Sequence, residues 1–300
     1  MSDFLQHIIN GLSLGSIYAL IALGYTMVYG IMQMINFAHS DVYMVGAMGS
    51  YYLSRYFGFE KLPMGTGLIL ALAGSVIVTS VLALTIEKLA YRPLRRAPKL
   101  NVLITAIGVS LLLQFGGQII FGAEPKFYPQ LIGSYVVIDS PTIQLRLIDL
   151  LVLLVTMISL LILHFFISKT RQGKAMRAVS QNPHAASLLG IGVNRMITLT
   201  FVVGAALAGI ASVLVSMKYP KIDPMMGSLM GLKAFVAAVL GGIGNIPGAV
   251  LGAIIMGLSE EMVVAYVSSS FRDALAFLIL ILILLFKPSG LLGSKFVEKV

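Results

Sequence analysis

Six uninterrupted apolar runs decide what this chain can fold into. They lie at about 8–30, 64–90, 101–121, 148–168, 197–217 and 273–287. Several reach or exceed the ~20 residues that a helix needs to cross roughly 30 Å of hydrocarbon. Composition agrees: 58% of the residues are hydrophobic and 11% charged, where soluble domains carry about 25% charged residues. Three weaker segments lie between the runs: 37–54 holds His39 and Asp41, 225–244 holds Lys233, and 247–267 holds Glu260 and Glu261. If all three cross, the chain has nine spans; if one is broken or re-entrant, it has eight. The expected architecture is all-α, a polytopic integral membrane protein of about eight to nine transmembrane helices forming a single domain over residues 1–300.

Charge sets the orientation. The formal balance is 21 basic minus 12 acidic residues, or +9. The basic residues cluster between spans, the positive-inside pattern, and leave no basic face for nucleic acid. Lys88, Arg92, Arg95, Arg96 and Lys99 flank one connection, Lys169, Arg171, Lys174, Arg177 and Arg195 another, and Lys287, Lys295 and Lys299 follow the last run. These 13 of 21 basic residues fall on one side of an alternating topology, which makes that side and the C-terminus cytoplasmic. The opposite loops, near 55–63, 122–147 and 218–224, mix signs and hold Pro and Gly, among them Pro125, Pro129 and Pro141. With nine spans the N-terminus lies outside. It carries Asp3 and no basic n-region, so the first run reads as a retained span rather than a signal peptide.

Several chemistries are excluded. The absence of cysteine removes thiolate metal sites, redox pairs and disulfides. Neither a Walker A pattern nor His-Glu-x-x-His occurs. Gly11-Leu12-Ser13-Leu14-Gly15 fits a nucleophile elbow in letters, but it lies in the first apolar run with no strand before it. These absences argue against an intramembrane enzyme.

Two stretches have a physical reading of their own. Segment 169–196 reads as a short helix–turn–helix: Asn182-Pro183 favours a turn and helix start, Ala185 and Ala186 let another backbone approach, and Gly190 can end the helix. It is either a docking element for a partner or an ordinary polar loop. In the glycine-rich block, Gly244, Gly248 and Gly252 recur at the four-residue spacing of close helix packing, while Gly241, Gly242 and Pro247 interrupt any continuous helix. Broken backbone at membrane depth must be buried in protein or line a cavity, so this block is a tight helix junction or part of a gate. Ionisable residues inside the runs each cost at least ~2.5–3.5 kcal/mol at a helix centre. Lys233 therefore either snorkels to the interface or serves the path. Asp41 and His39 suit the first turn of a helix, and at least one of Glu260 and Glu261 faces protein or water.

Four blocks carry a resemblance. Asn36-Phe37-Ala38-His39, Tyr91-Arg92-Pro93-Leu94, Gly231-Leu232-Lys233-Ala234-Phe235 and Leu240-Gly241-Gly242-Ile243-Gly244-Asn245-Ile246-Pro247-Gly248-Ala249 occur in this order along nearly the whole chain. Together they resemble the branched-chain amino-acid ABC transporter permeases of the LivH type. Ser40 departs from the glycine common after the His in that family. Ala185, Ala186 and Gly190 resemble the core of the coupling loop of ABC importer permeases, with His184 where Glu is usual.

The resemblance implies a permease subunit of an ATP-driven importer for leucine, isoleucine and valine in the bacterial inner membrane. Its partners would be a second related permease forming a heterodimer, two ATP-binding subunits, a periplasmic solute-binding protein and the lipid membrane. The chain itself would hold no cofactor, with ATP and Mg on the ATPase subunits. Segment 169–196 would be the cytoplasmic coupling loop, with Gly173, Arg177, Asn182, His184, Ala185, Ala186 and Gly190 as ATPase-coupling residues. The translocation path or gate would draw on Asn36, His39, Asp41, Lys233, Gly241, Gly242, Gly244 and Glu260. Importers of urea, short amides or another amino acid share this architecture. A stand-alone secondary transporter is the rival of a different class, kept open by Glu260 and Glu261.

Overall fold

A computed structural model describes residues 2–293 apart from 64, 96, 134, 141 and 142. Arg96, Pro141, Lys295 and Lys299 lie outside the described residues, as do the side chains of Asp3 and Lys99. Eleven α-helices occur among the described residues: α1 Ser2–Met32, α2 His39–Phe57, α3 Thr66–Ile86, α4 Lys99–Phe121, α5 Leu147–Lys169, α6 Arg171–Gln181, α7 Pro183–Leu188, α8 Val193–Lys218, α9 Met226–Gly241, α10 Ile246–Tyr266 and α11 Arg272–Phe286. Four short strands accompany them: β1 Lys126–Phe127, β2 Val136–Ser140, β3 Ile143–Arg146 and β4 Lys221–Ile222. Seven helical segments among the described residues are long and apolar enough to cross a membrane: those of α1, α3, α4, α5, α8 and α10, and α11 together with the 3-10 turn Ser269–Phe271 before it. Segment 247–267, weak in sequence because of its two glutamates, is one of the seven. The other weak segments form α2, 19 residues with Asp41 and Arg55, and α9, 16 residues.

Strands qualify the all-α expectation. β2 and β3 form an antiparallel hairpin, and β1 pairs with β4. Both pairs fall in connections between helices, where extended β-branched residues such as Val136, Val137 and Ile143 satisfy their backbone groups across a ladder. The β2–β3 hairpin marks one end of the bundle, here the hairpin end. Helices α6 and α7 mark the other.

Helix α1 occupies the centre. In its apolar window 78% of residues are buried, against 11% for α4 and α11. Leu103, Ile104 and Leu112 of α4 and Leu282 and Leu285 of α11 face outward, as lipid-facing helices require. Glycine lets α1 sink this far. A Cβ at Gly257 would lie 2.3 Å from the Gly15 nitrogen, and one at Gly11 would lie 2.9 Å from the Leu258 Cα. On another face, a Cβ at Gly204 of α8 would come within 3.3 Å of the Gly24 Cα.

The α9–α10 junction uses the same device. Helix α9 ends at Gly241, Gly242 turns with φ +106°, and α10 begins behind Asn245, whose Oδ1 accepts from the Gly248 amide at 3.4 Å. A Cβ at Gly241 would sit 1.9 Å from the Gly248 carbonyl oxygen, and one at Gly252 would sit 2.2 Å from that of Ala237. Gly244 departs from the expected packing row: it precedes the helix with φ +94° and serves the turn. The segment after α11 closes the junction, because the Leu291 and Leu292 amides donate to the Leu240 and Gly241 carbonyls at 2.8 and 3.0 Å.

Nearer the hairpin end, charges tie α9, α10 and α11 to α1. Lys233 Nζ reaches Glu260 Oε1 at 2.9 Å and Asp273 Oδ1 at 2.7 Å. Arg272 Nε donates to the same Glu260 oxygen at 2.5 Å, and the Tyr18 hydroxyl donates to the other at 2.8 Å. Two cations thus meet two carboxylates, so no buried charge is left alone. Lys233 does not snorkel; its ammonium is consumed within the protein.

Two outcomes are expected from thermal unfolding in detergent. Gly241→Ala should destabilise by about 1–3 kcal/mol, the usual cost of overpacking, whereas Gly108→Ala, with nothing within 4 Å of the new Cβ, should not; equal melting temperatures would refute the close-packed junction. Glu260→Gln should lower the melting temperature more than Lys233→Met, because it strips the carboxylate from both Lys233 and Arg272 and leaves Arg272 unpaired. The reverse order would contradict this charge assignment.

Candidate functional site

Three of the sequence blocks meet in space. Asn36 Oδ1 accepts from the Tyr91 hydroxyl at 2.5 Å, joining the 36–39 block to the 91–94 block. Phe37 lies 6.2 Å from Phe235 of the 231–235 block, and Tyr25 contacts both Phe235 and His39 edge-on. His39 is 2% exposed, and its ring fills the space left by Gly24, where a Cβ would fall 2.0 Å from Nε2. That nitrogen has no hydrogen-bond partner among the described residues. Asp41, in the first turn of α2, accepts from Ser110 at 2.5 Å and from Gln114 at 3.0 Å, both on α4. Ser40 continues the helix, so the position where the family commonly has Gly needs no positive φ here. The void at this joint, between Asn36, His39 and Phe201, is about 10 Å³. That holds one water at most, so the joint binds no amino acid in this conformation.

From the joint, polar contacts run to the α6–α7 end. The final turn of α3 widens into a π turn at Glu87–Tyr91. Buried Glu87 pairs with Arg95 and accepts from Thr198 of α8 at 3.0 Å, while Arg95 also donates to Asn194 of α8. The start of α8 is thereby tied, through the 91–94 turn, to Asn36.

The sequence of α6 and α7 explains their shape. Thr170 Oγ1 caps α6 by accepting from the Gly173 amide at 3.0 Å. Asn182 Oδ1 caps α7 by accepting from the Ala185 amide at 3.0 Å, with Pro183 at the first helical position. Gly190, φ +79°, ends α7. The expected coupling residues divide between two roles. Gly173 and Ala186 are buried: a Cβ at Gly173 would sit 2.3 Å from the Phe166 carbonyl oxygen, and Ala186 is 2% exposed. Arg177, Asn182, His184, Ala185 and Gly190 are exposed. Leu188 and Leu189, which the sequence reading passed over, are 77% and 80% exposed at the tip of α7.

At the hairpin end lie two adjoining cavities that no sequence block announced. The larger, about 780 Å³, is bordered by Asn10, Asp139, Arg146, Asp149, Lys218 and Glu261 among others. The second, about 520 Å³, is walled largely by apolar residues including Leu131, Ile132, Val136 and Met217. Arg146, Ile148 and Lys218 line both. Lys218 Nζ is held by Asp149 Oδ1 at 2.7 Å and by Ser13 Oγ at 2.6 Å. Ser13, the centre of the elbow-like pattern, is thus a buried partner of an ion pair. Asp149 and Lys218 sit 69 positions apart at the edges of apolar runs, where single charges read as ordinary span ends.

Relatives supply the family. The sequence profile described as "Branched-chain amino acid transport system / permease component" matches residues 7–284. The chain is 45% identical over a 303-residue alignment to the high-affinity branched-chain amino acid transport system permease protein BraD of Pseudomonas aeruginosa, covering 99% of this chain and 98% of that protein. It is 44% identical to LivH of Escherichia coli K12, with the same coverage. LivM of Escherichia coli K12 is 25% identical over 296 residues, covering 93% of this chain and 68% of LivM. Matched over nearly its full length, this helical membrane protein belongs to the family of branched-chain amino acid transport system permease components.

Proposed function

We propose that the chain is one of two permease subunits of an ATP-driven importer for leucine, isoleucine and valine in the bacterial inner membrane. The observation that carries this reading is the 44–45% identity to BraD and LivH over almost the whole of both chains. The weaker match to LivM supports a second, related permease as the partner in a heterodimer. ATP and Mg²⁺ belong to two separate ATPase subunits, and a periplasmic binding protein delivers the substrate.

Nine crossings fit the element order, with α1–α5 and α8–α11 alternating in direction. At 1.5 Å per residue, α2 is about 28 Å long and α9 about 24 Å, short but close to the hydrocarbon thickness. The positive-inside pattern of the basic connections supports a cytoplasmic α6, α7 and segment after α11, with the hairpin end outside. Closure of the ATPase dimer moves α7. The start of α8 carries that motion through Arg95, Glu87 and Tyr91 to the α1–α2 connection at Asn36. Glu260 is engaged by two cations and so is not a free coupling carboxylate, which favours the importer over a stand-alone secondary transporter. No specific observation favours urea or a short amide as cargo.

The direct test is uptake by proteoliposomes holding this chain, its permease partner, the ATPases and the binding protein. ATP-dependent leucine uptake, competed by isoleucine and valine and not by urea, is expected. Uptake of urea or an amide instead would overturn the substrate, and ion-driven transport by this chain alone would overturn the importer.

A second outcome concerns docking. Leu188→Asp and Leu189→Asp remove exposed apolar side chains, each able to contribute about 1.5–3 kcal/mol when buried by a partner. Both variants should retain the wild-type melting temperature and membrane level while ATP-driven uptake falls roughly tenfold or more. Normal uptake in both would contradict docking through α7. Substitution of Ala186 is a poor test, because its methyl group is enclosed within this chain.

A further inference from the structure

We infer that the two cavities at the hairpin end form a binding site on this chain for an α-amino acid with an aliphatic side chain, with Arg146 receiving the carboxylate and Glu261 the ammonium group. The inference rests on the proposed amino-acid transport and adds a binding step that such transport does not itself require.

Most polar side chains lining the larger cavity are already engaged within the chain. Lys218 and Asp149 neutralise one another at 2.7 Å, with the Ser13 hydroxyl completing the set. Asp139 accepts from Gln144 Nε2 at 3.3 Å. Arg146, at the end of β3 and directly before α5, is exposed, and its guanidinium has no ion-pair or hydrogen-bond partner among the described residues. Glu261 is 13% exposed at its side chain, and only Oε1 is engaged, by Asn10 at 3.3 Å and His7 at 3.4 Å. Its Oε2 has no partner among the described residues. Asp139 keeps its charge too but stands exposed on the hairpin, whereas Glu261 is a shielded, half-satisfied carboxylate; with the Arg146 guanidinium it offers an α-amino acid its two complementary groups. The guanidinium fork matches a carboxylate through two parallel hydrogen bonds.

Net charge points the same way. Asp139, Asp149 and Glu261 stand against Arg146 and Lys218, three acids to two bases, which disfavours an anion. Urea and simple amides carry no charge for either remaining group. An aliphatic amine or a fatty acid matches one of them and leaves the other uncompensated.

Geometry supplies the third part. Arg146 lines both cavities, together with Ile148 and Lys218. A carboxylate held at Arg146 therefore lies at the boundary between charged and apolar spaces. Beyond it, Leu131, Ile132, Val136 and Met217 offer an apolar wall to the side chain. The branched side chains of leucine, isoleucine and valine fit that pocket by chemistry, and glycine leaves it empty.

The test uses the reconstituted importer without ATP or binding protein, with tritiated leucine as the probe. Leucinol lacks the carboxylate, 4-methylpentanoate lacks the ammonium group, and glycine lacks the side chain. Each should compete at least about tenfold more weakly than leucine, since each forfeits a charge-assisted contact or the apolar burial. Arg146→Met should weaken leucine about tenfold and leave leucinol unchanged. Glu261→Gln should weaken leucine and leave 4-methylpentanoate unchanged. The wild-type ligand series decides the matter even where a variant fails to fold. If the importer takes up leucine with ATP yet shows no saturable binding here, or if leucine and leucinol weaken together in Arg146→Met, the site is wrong and the function stands. If it takes up no branched-chain amino acid, the functional reading fails and the site falls with it.

Discussion

The depth of α1 within the bundle is the constraint on which the other parts depend. Apolar side chains gain little by leaving lipid for protein, so membrane helices associate through close packing and hydrogen bonds. Here Gly11, Gly15 and Gly257 bring α1 against α10 at backbone contact, and Gly24 with Gly204 does the same toward α8. The absence of a side chain at Gly24 also admits the His39 ring, which fixes how the α1–α2 connection folds back. Gly30 approaches Gly244, which places the α9–α10 turn beside the far end of α1. One sunken helix thus positions α2, α8, α9 and α10 together.

Charge is distributed in a way that separates structure from function. Inside the bundle the cations are paired, Lys233 and Arg272 with Glu260 and Asp273, Arg95 with Glu87, Lys218 with Asp149, while buried Asp41 is held by the neutral Ser110 and Gln114. Such pairs return roughly what their desolvation costs, and their clearer effect is to forbid misregistered helices, which would leave a charge alone in a low dielectric. Unmatched groups lie at the two ends. At one, Leu188 and Leu189 stand exposed on a six-residue capped helix. At the other, Arg146 and Glu261 face a cavity of about 780 Å³. The interior between the two ends is packed.

Much of this architecture is legible in the residues themselves. The long apolar runs, the cap at Asn182-Pro183, the stop at Gly190 and the break at Gly241-Gly242 are local signals, and each is written within a few residues of the feature it produces. The family blocks were readable as blocks. Their meeting was not, because the Asn36–Tyr91 contact spans 55 positions and depends on how α3 closes with a π turn. Lys233 and Glu260 stood out as costly charges, yet their pairing with each other and with Asp273 and Arg272 requires three helices to be set side by side. Ala186 and Gly173 illustrate another limit: small residues at a docking element look alike in sequence whether they receive a partner or the chain's own α5 and α6. The cavities were illegible for the same reason, since their walls come from α1, the hairpin, α5, α8 and α10.

In the proposed topology the α7 tip and the charged cavity open on opposite faces of one membrane. The chain has no cysteine, so single substitutions report on one position each. Leu189→Cys and Asp139→Cys can be probed with a membrane-impermeant maleimide in intact spheroplasts and in inverted vesicles. Asp139→Cys should react only in spheroplasts and Leu189→Cys only in inverted vesicles. Labelling of both positions from the same side would contradict it.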